Sequence, residues 1–404
     1  MKRCITASSE QYKLAFAVSL GGMLEFYDFL MYGLMASYIA KHFFPADDQS
    51  LAILGTFAAF AVGHFARPLG GLVFGHYGDR YGRKTTFTLS VFLMALSTVL
   101  IGLLPGYVTI GGWATVLLVL LRLLQGFSLG GEIPGAITYL SESAPERQGL
   151  VLGILFLALM LGVALGTFVH GGLAFYLGPE RMMEWGWRLP FLLGGVLGVI
   201  SYVIRRRFHE SGFFLALNQV RQRSQVPLKE LINHHWRGLL FAVAAMSVCG
   251  VTVNIYGVYM PGYLSSILDY SKGQVARHTA LAFVIHAPIP LIAGLCYDLV
   301  NRKLLLAIVA LLMAILAWPT FDYFSSGQAE LKTILMICAM YTGVTAGLLS
   351  PLMIHCFPTE VRFTGIAVAY NIGLALFGGV APFISTALAE GLGVASGPAL
   401  YLNP

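Results

Sequence analysis

The chain has 404 residues, of which 57% are hydrophobic and only 11% are charged, and its mean hydropathy is +0.76. Because soluble proteins carry about 25% charged residues, this composition excludes an ordinary soluble domain and indicates a membrane protein. The formal net charge of +6 could suggest an acidic partner, but no basic groove interleaved with aromatic residues supports nucleic-acid binding. The five cysteines show neither metal-ligand spacing nor a disulfide framework.

Eleven apolar stretches approach or exceed the roughly 20 residues that span a bilayer as a helix. Lipid offers no hydrogen bonds to a bare backbone, so we predict that each stretch is a transmembrane helix. In chain order they are residues 14–40, 51–74, 86–104, 114–140, 150–177, 189–204, 239–264, 281–297, 304–321, 331–355 and 365–388.

The two ends of the chain carry separate expectations. The first stretch is too long for the apolar region of a signal peptide and lacks a small-residue cleavage site, so we interpret it as a retained first helix. The residues after Leu388 are too few to cross a bilayer as a helix. We therefore expect that the sequence stops near the beginning of a twelfth helix.

A ten-residue motif occurs twice between apolar stretches. Residues 75–84 read GHYGDRYGRK, and residues 294–303 read GLCYDLVNRK, a looser copy. A second echo links residues 142–149, after the fourth stretch, with residues 358–365, after the tenth. These repeats predict two related halves: residues 1–204 with six helices, and residues 238–404 with helices seven to eleven and the start of a twelfth. A polar, basic linker at 205–237 joins them.

The distribution of basic residues predicts the orientation in the membrane. If the N-terminus is cytoplasmic, most of the 25 lysines and arginines fall in cytoplasmic segments, as the positive-inside rule requires. The positive net charge therefore indicates topology and not a nucleic-acid partner.

Five charged residues lie inside the predicted helices of the first half: Glu25, Asp28, Arg67, Arg122 and Glu132. Charge in a bilayer is costly, so each marks a pathway or a relay by default. Glu25 and Asp28 share one helix face, and we expect at least one of them to titrate because like charge and desolvation disfavour double ionisation. Alternatively, Arg67 is a structural partner of either acid, Arg122 joins helices, and Glu132, beside a Gly-Gly pair, is structural.

The second half offers neutral polar groups instead. A stripe on helix seven contains Thr252, Tyr256, Tyr259 and Tyr263, with Asn254 nearby, and helix eleven carries Tyr370 and Asn371. We predict a cavity whose charged wall faces this aromatic, hydrogen-bonding wall, an asymmetry that suits a small anion or zwitterion. The stripe is equally compatible with packing, and Tyr263 with an interfacial aromatic belt. We interpret His64, His170, His286 and His355 as packing residues and not as a proton relay.

The charges at the helix ends are predicted to lock helices together and not to bind substrate. They are Asp79, Arg80, Arg83, Asp298, Arg302, Glu360 and Arg362.

The sequence resembles a known transporter family. The pattern G-x-x-x-D-R-x-G-R-K at 75–84 resembles the cytoplasmic loop signature of the major facilitator superfamily. Residues 21–29, 65–71, 122–132, 185–191 and 205–211 together resemble the metabolite:proton symporter family, whose members include α-ketoglutarate, citrate, shikimate and proline/betaine permeases of bacterial inner membranes. The resemblance implies an all-α membrane protein with the major facilitator fold, two pseudo-symmetric six-helix bundles.

The resemblance also implies roles for individual residues. Arg67 would contact a substrate carboxylate, Glu25 and Asp28 would carry proton coupling, and Arg122 would belong to the proton-transfer helix. Asp79 would hold the halves together near the start of helix eleven. The other candidate substrate-binding residues are Tyr27, Asn254, Tyr256, Tyr259, Tyr370 and Asn371. Leu299 and Asn301 replace Arg80 and Gly82 in the second motif, so the lock of the second half should be weaker.

We expect a proton-coupled importer of a small carboxylate or zwitterion, a monomer in the bacterial inner membrane that uses the proton gradient and no cofactor or metal. One alternative is a proton-coupled efflux antiporter of drugs or metabolites. Such antiporters typically carry a Gly-Pro-Gly-rich signature on helix five, where this chain has no proline between Pro145 and Pro179. A second alternative is a non-transporting receptor or scaffold. An enzyme is not indicated, because no nucleophile–base pair stands out.

Overall fold

The computed structural model describes residues 9–44, 49–206, 226–266, 268–326, 329–391 and 396–402, and within them every regular element is helical. The long helices are α1 (Ser9–Leu34), α2 (Gln49–Tyr81), α3 (Arg83–Leu103), α4 (Gly112–Ser143), α5 (Gln148–Arg181), α6 (Arg188–Arg206), α7 (Trp236–Ser265), α8 (Gly273–Leu299), α9 (Arg302–Ser325), α10 (Leu331–Ile354) and α11 (Thr359–Ala389).

These helices confirm the predicted apolar stretches, except that α1 ends at Leu34 and the first stretch continues after Met35 as a short helix, Ala36–Phe43. Within the described residues, ten helices are long and apolar enough to cross a membrane, and α2 has 33 residues. The helix α6 continues through Arg206, two residues into the predicted linker. A short helix, Pro227–His234, lies in the rest of that linker, whereas residues 207–225 lie outside the described ranges. Another short helix, Ala399–Leu402, follows α11.

The packing is pseudo-symmetric. In the first half α1 packs on α5, α2 on α4 and α3 on α6, and in the second half α7 packs on α11 and α8 on α10. Between the halves α2 packs on α11 and α8 on α5. A shift of six helices exchanges these contacts, as expected for two related bundles. Residues 75–84 and 294–303 lie at the same end of the molecule, because Arg83 contacts Glu142 at the end of α4 and Asp298 contacts Gly149 at the start of α5. We call this end the motif side.

Glycines bring α2 and α4 into backbone contact. A Cβ on Gly126 would lie 1.7 Å from the carbonyl oxygen of Gly63, and a Cβ on Gly130 would lie 2.0 Å from that of Arg67. Any larger side chain would push the helices apart, because small residues are what allow membrane helices to approach this closely. This packing places Arg67 and Arg122 on neighbouring helices.

Four long helices depart from regular α-geometry. The helix α8 is interrupted by a turn at residues 287–288. The helix α5 breaks at Gly178, whose φ of +72° disfavours other residues. The helices α7 and α11 contain π-helical turns, at Asn254–Tyr259 and Ile372–Gly378. Such turns occur frequently at functional sites, and the π turn of α7 contains three of the predicted substrate residues.

Candidate substrate and proton site

Arg67 and Glu25 form a loose ion pair within the first half. Nη2 of Arg67 lies 3.8 Å from Oε1 of Glu25, and the side chains are only 9% and 2% exposed. At this distance the groups attract each other without sharing a hydrogen bond. Oε2 of Glu25 has no hydrogen-bond partner among the described residues. The carboxylate is therefore placed to accept a proton without first breaking a short bond.

A small cavity lies against this pair. The centre of a water-sized sphere can occupy about 10 Å³ of it, which is room for roughly one water molecule. Its polar lining residues are Glu25, Asp28, His64, Arg67, Arg122 and Gln125. The structure thus brings together four of the predicted charged residues. His64, which we predicted to be packing, also lines the cavity, and a metabolite needs a wider opening than this conformation has.

Asp28 and Arg122 are connected through two uncharged side chains. Nη1 of Arg122 donates to Oε1 of Gln125 (2.7 Å), and Nε2 of Gln125 donates to Oγ1 of Thr98 (2.8 Å). The Thr98 hydroxyl in turn contacts Oδ2 of Asp28. The Arg122 guanidinium also lies over the Tyr32 ring, 4.0 Å from its centroid. Thr98 and Gln125 were not predicted as site residues, although Gln125 follows Arg122 by three residues on the same helix face.

The structure places Tyr27 away from the cavity. Its side chain is fully buried and its hydroxyl donates to the carbonyl oxygen of Pro190 (2.9 Å) at the start of α6. Tyr27 directly precedes Asp28, and neighbouring residues point about 100° apart around a helix. Tyr27 is therefore not among the residues that line this cavity, and its observed contact joins α1 to α6; its substrate role stays a prediction.

The two candidates on α11 differ in their surroundings. Tyr370 is buried and lies close enough to Arg67 and Glu25 to interact with them electrostatically. Nδ2 of Asn371 donates to the carbonyl oxygens of Gly130 on α4 (2.9 Å) and Ala367 (2.8 Å). Asn371 thus joins the two halves, whereas Tyr370 is the candidate nearest the charged pair.

The predicted tyrosine stripe packs within the second half. Tyr256 stacks on Tyr341 of α10, with ring centroids 4.8 Å apart, and Phe321 of α9 lies 5.8 Å from both Tyr256 and Tyr263. Tyr259 packs against Tyr263 at 5.6 Å. The Asn254 amide donates to the Gly250 carbonyl of its own helix. In this conformation the described residues do not form the predicted aromatic wall opposite the charges, because aromatic packing within the second half holds the stripe.

A second small cavity lies between α7, α8 and α10. It offers about 30 Å³ to the centre of a water-sized sphere, and Tyr256, Thr279 and His286 line it. The Tyr256 hydroxyl, Oγ1 of Thr279 and Nε2 of His286 have no hydrogen-bond partner among the described residues. His286 therefore differs from the satisfied packing residue that we predicted.

Asp79 caps the first turn of α11. Its carboxylate accepts hydrogen bonds from the backbone N–H groups of Phe363 (3.2 Å) and Thr364 (2.8 Å) and from the Thr364 hydroxyl (2.8 Å). A helix N-terminus favours an anion. Gly75, one turn earlier on the same face, permits the approach, because a Cβ there would lie 2.8 Å from Cα of Thr364. The spacing G-x-x-x-D thus has a geometric reason.

Asp298 repeats this arrangement in the second half. It accepts from the backbone N–H groups of Gly149 (2.9 Å) and Leu150 (2.8 Å) at the start of α5. A Cβ on Gly294 would lie 2.1 Å from the Gly149 carbonyl oxygen. Asp298 accepts two backbone hydrogen bonds, whereas Asp79 accepts three bonds from the start of α11 and a fourth from Nη2 of Arg83 at 3.3 Å. The weaker lock of the second half stays a prediction.

Two guanidinium groups share one carboxylate across the halves. Nη1 of Arg83 lies 2.7 Å from Glu142, Nη1 of Arg362 lies 3.0 Å from the same side chain, and Arg83 also donates to the Thr359 carbonyl (2.6 Å). Glu142 was not among the predicted lock residues. Its place in the repeated segment after helix four was the signal that could have identified it.

The other predicted lock residues lie at the same end. Arg80 packs over the Tyr81 ring, 5.1 Å from its centroid, and Glu360 lies in the turn Thr359–Val361. Arg302 contacts Nε2 of His355 at 3.1 Å. Partial burial, together with the guanidinium groups of Arg302 and Arg362, lowers the pKa of His355, which favours the neutral ring that can accept this bond.

Comparison with known proteins identifies the family. The model of the Major Facilitator Superfamily matches residues 18–394. The chain belongs to this superfamily. It is therefore a multi-pass membrane transporter and not an enzyme.

Individual proteins of the superfamily show which transporters the chain resembles. The chain is 34% identical to the proline/betaine transporter of Salmonella typhimurium over 401 residues, which cover 96% of this chain and 79% of that protein. It is 35% identical to the inner membrane metabolite transport protein YhjE of Escherichia coli over 408 residues, covering 98% and 92%. The fold matches the proton:xylose symporter XylE with a TM-score of 0.77 at 17% identity, over 98% of this chain and 94% of that one.

Proposed function

We propose that this transporter imports a small zwitterion or carboxylate together with a proton, and that a zwitterion of the proline or betaine type is the first candidate. The observation that carries the proposal is the buried Arg67–Glu25 pair beside Asp28 on one cavity. Relatives at 34% and 35% identity are named as transporters of proline and betaine or of metabolites, which supports the substrate class.

The chemistry follows from charge balance. Guanidinium and carboxylate match bidentately, and in a desolvated site such a pair is stronger than neutral hydrogen bonds. While Glu25 is ionised it competes with substrate for Arg67. A proton that arrives at Asp28 or Glu25 neutralises the acid and frees Arg67 to hold the substrate carboxylate. Proton and substrate therefore bind together, and the loaded carrier rocks to the other side.

The orientation belongs to the same proposal. Arg80, Arg83, Arg302 and Arg362 lie on the motif side, and an excess of basic residues favours the cytoplasm. With the motif side inward, the Asp79 and Asp298 contacts close the cytoplasmic side in this conformation. Substrate and proton would then enter from the outside, and both locks would open for release. This direction supports import into the cell.

Purified protein in liposomes tests the proposal. When the outside buffer is more acidic than the liposome interior, the inward proton gradient should drive labelled proline or glycine betaine to an internal concentration above the external one. Arg67→Gln should abolish binding and uptake, because it removes the only group proposed to hold the carboxylate. Asp28→Asn should lose gradient-driven accumulation and retain substrate exchange. If accumulation persists in both Asp28→Asn and Glu25→Gln, the coupling assignment is refuted.

The response of uptake to membrane potential distinguishes a zwitterionic substrate from a monocarboxylate. A zwitterion moving with one proton carries net positive charge, so an inside-negative potential should increase its uptake. A monocarboxylate moving with one proton carries no net charge and should not respond. A thermal-shift screen first identifies which compounds bind, because binders stabilise the folded state. The panel is proline, glycine betaine, α-ketoglutarate, citrate and shikimate, and each compound that binds is then used as the substrate in the uptake assay. Export driven by the same gradient would favour the antiporter alternative.

A further inference from the structure

A second buried ion pair lies between the cavity and the motif side. Oε1 of Glu132 on α4 is 2.9 Å from Nη2 of Arg205 on α6, and both side chains are fully buried. Oε2 of Glu132 has no hydrogen-bond partner among the described residues. The mechanism proposed above uses neither residue.

The pair lies directly against α1, one turn from Glu25. A Cβ on Gly21 would lie 1.6 Å from Nη2 of Arg205 and 2.9 Å from Oε1 of Glu132. Gly21 and Glu25 are four residues apart, so they share a helix face about 6 Å apart along the axis. Glu25 accordingly interacts electrostatically with Glu132 and Arg205 as well as with Arg67. Because α1 begins on the motif side, the pair lies on that side of Glu25.

Three buried acids therefore follow one another toward the motif side: Asp28, Glu25 and Glu132. Each has one carboxylate oxygen without a hydrogen-bond partner among the described residues: Oδ1 of Asp28, Oε2 of Glu25 and Oε2 of Glu132. A buried acceptor in this condition is costly unless it carries a proton or contacts water. Successive acids within a membrane bundle are the usual elements of a proton relay.

Arg205 is held in place by partners other than Glu132. Nη2 donates to the carbonyl oxygen of Val18 (3.3 Å) and Nη1 to that of Phe87 (3.4 Å), and the guanidinium lies 3.8 Å from the centroid of the Phe87 ring. These contacts do not depend on the charge of Glu132. Arg205 can therefore stay in position while Glu132 is protonated, which a relay requires and a purely structural bridge does not.

We propose that Glu132 is the last buried proton acceptor before the motif side, and that Arg205 stabilises its charged form. The inference rests on the proposed proton coupling. In the step, the O–H bond of the Glu25 carboxyl breaks, a proton crosses through bound water, and an O–H bond forms on Glu132. Glu25 becomes a carboxylate and pairs again with Arg67, which displaces the substrate. Glu132 then releases the proton toward the motif side and returns to Arg205.

The test separates transport of the proton from packing. Glu132→Gln alone leaves Arg205 buried without its counter-charge, which is destabilising, whereas neutralising both partners is often tolerated. The double variant Glu132→Gln/Arg205→Gln should therefore fold, as judged by gel filtration and melting temperature. It should retain substrate exchange, which needs no net proton release, and lose gradient-driven accumulation by about tenfold or more. Ser201→Ala, a buried change one turn from Arg205 on α6, is the control and should leave both activities unchanged.

If the double variant folds and accumulates substrate like the unmodified protein, the pair is packing and the inference is overturned. Infrared difference spectroscopy between acidic and alkaline buffer provides a measurement that does not depend on the double variant. The unmodified protein should show a buried carboxyl band that Glu132→Asp shifts. If no titrating band responds to that substitution, Glu132 does not change its protonation state, and the inference is again overturned.

Failure of the proposed function gives a different result. In that case the unmodified protein itself accumulates no substrate when the pH gradient is imposed. The inference alone fails when the unmodified protein is coupled and the double variant is coupled equally well.

Discussion

Replacing Asp79 with Asn should open the motif side. The substitution preserves the shape of the side chain but removes the charge from three hydrogen bonds at the start of α11, those from Phe363 N–H, Thr364 N–H and the Thr364 hydroxyl. It also removes the charge from the buried contact with Nη2 of Arg83, 3.3 Å away. The Asn side chain also carries an NH₂ group, which cannot accept a hydrogen bond, at a position where the neighbouring groups are themselves donors. Asp79 is only 3% exposed, so little solvent screening reduces the loss.

The magnitude follows from the contacts. A hydrogen bond to a charged group contributes about 1.5–3 kcal/mol and a neutral one about 0.5–1.5, and an anion at a helix N-terminus adds about 0.3–1 kcal/mol or more. Because the three bonds and the Arg83 contact are weakened and not all removed, and Arg83 keeps Glu142 as a partner, we expect a loss of about 2–4 kcal/mol, or roughly 30- to 700-fold in the ratio of closed to open motif side.

Spin labels at Tyr81 and Lys303 can measure this change, since both side chains are exposed on the motif side and belong to different halves. With the native cysteines replaced, Asp79→Asn should add a population at longer label separation. Asp298→Asn removes charge from two bonds and should shift the distribution less. Asp322→Asn, at the far end of α9, is the matched control. An Asp79→Asn distribution identical to that of the unmodified protein would refute the reasoning.

Three further changes have defined outcomes. Glu142→Gln leaves Arg83 and Arg362 without their shared carboxylate; we expect the same label separation to increase, and no increase would exclude Glu142 from the lock. Gly126→Ala places a methyl group 1.7 Å from a carbonyl oxygen of α2; overpacking should cost about 1–3 kcal/mol, and an unchanged melting temperature would contradict the contact. Asn301→Ala removes the side-chain cap of α9, which should cost about 1 kcal/mol, whereas Asn301→Asp should retain stability in the same melting assay.

The helices could be predicted from the sequence because lipid forces apolar stretches of sufficient length into one structure. The contact between Asp79 and the start of α11 was expected from the family resemblance, and the structure shows why the spacing G-x-x-x-D permits it. The surroundings of Tyr256 were not. Helical spacing shows that Tyr256, Tyr259 and Tyr263 share a face, but not which neighbouring helix that face meets. That face packs against the rings of Phe321 on α9 and Tyr341 on α10 and does not face the charged cavity.

The hydrogen-bonded connection from Asp28 to Arg122 was missed for a related reason. The connection runs through two neutral side chains, Thr98 on α3 and Gln125 on α4, the helix that also carries Arg122. Neutral polar residues in a membrane helix carry no strong signal on their own, because each can bond to its own helix backbone. Only the packing of α1, α3 and α4 shows that these side chains meet.

The glycine contacts between α2 and α4 have a mechanical consequence. Where the backbones of α2 and α4 are in direct contact, no side chains lie between them that could rearrange. The two helices must therefore move as one rigid unit. Arg67 and Asp79 are both on α2, twelve residues and therefore about 18 Å apart along its axis. If substrate replaces Glu25 at Arg67 as proposed, any resulting tilt of α2 therefore moves Asp79 and its contacts at the start of α11 directly.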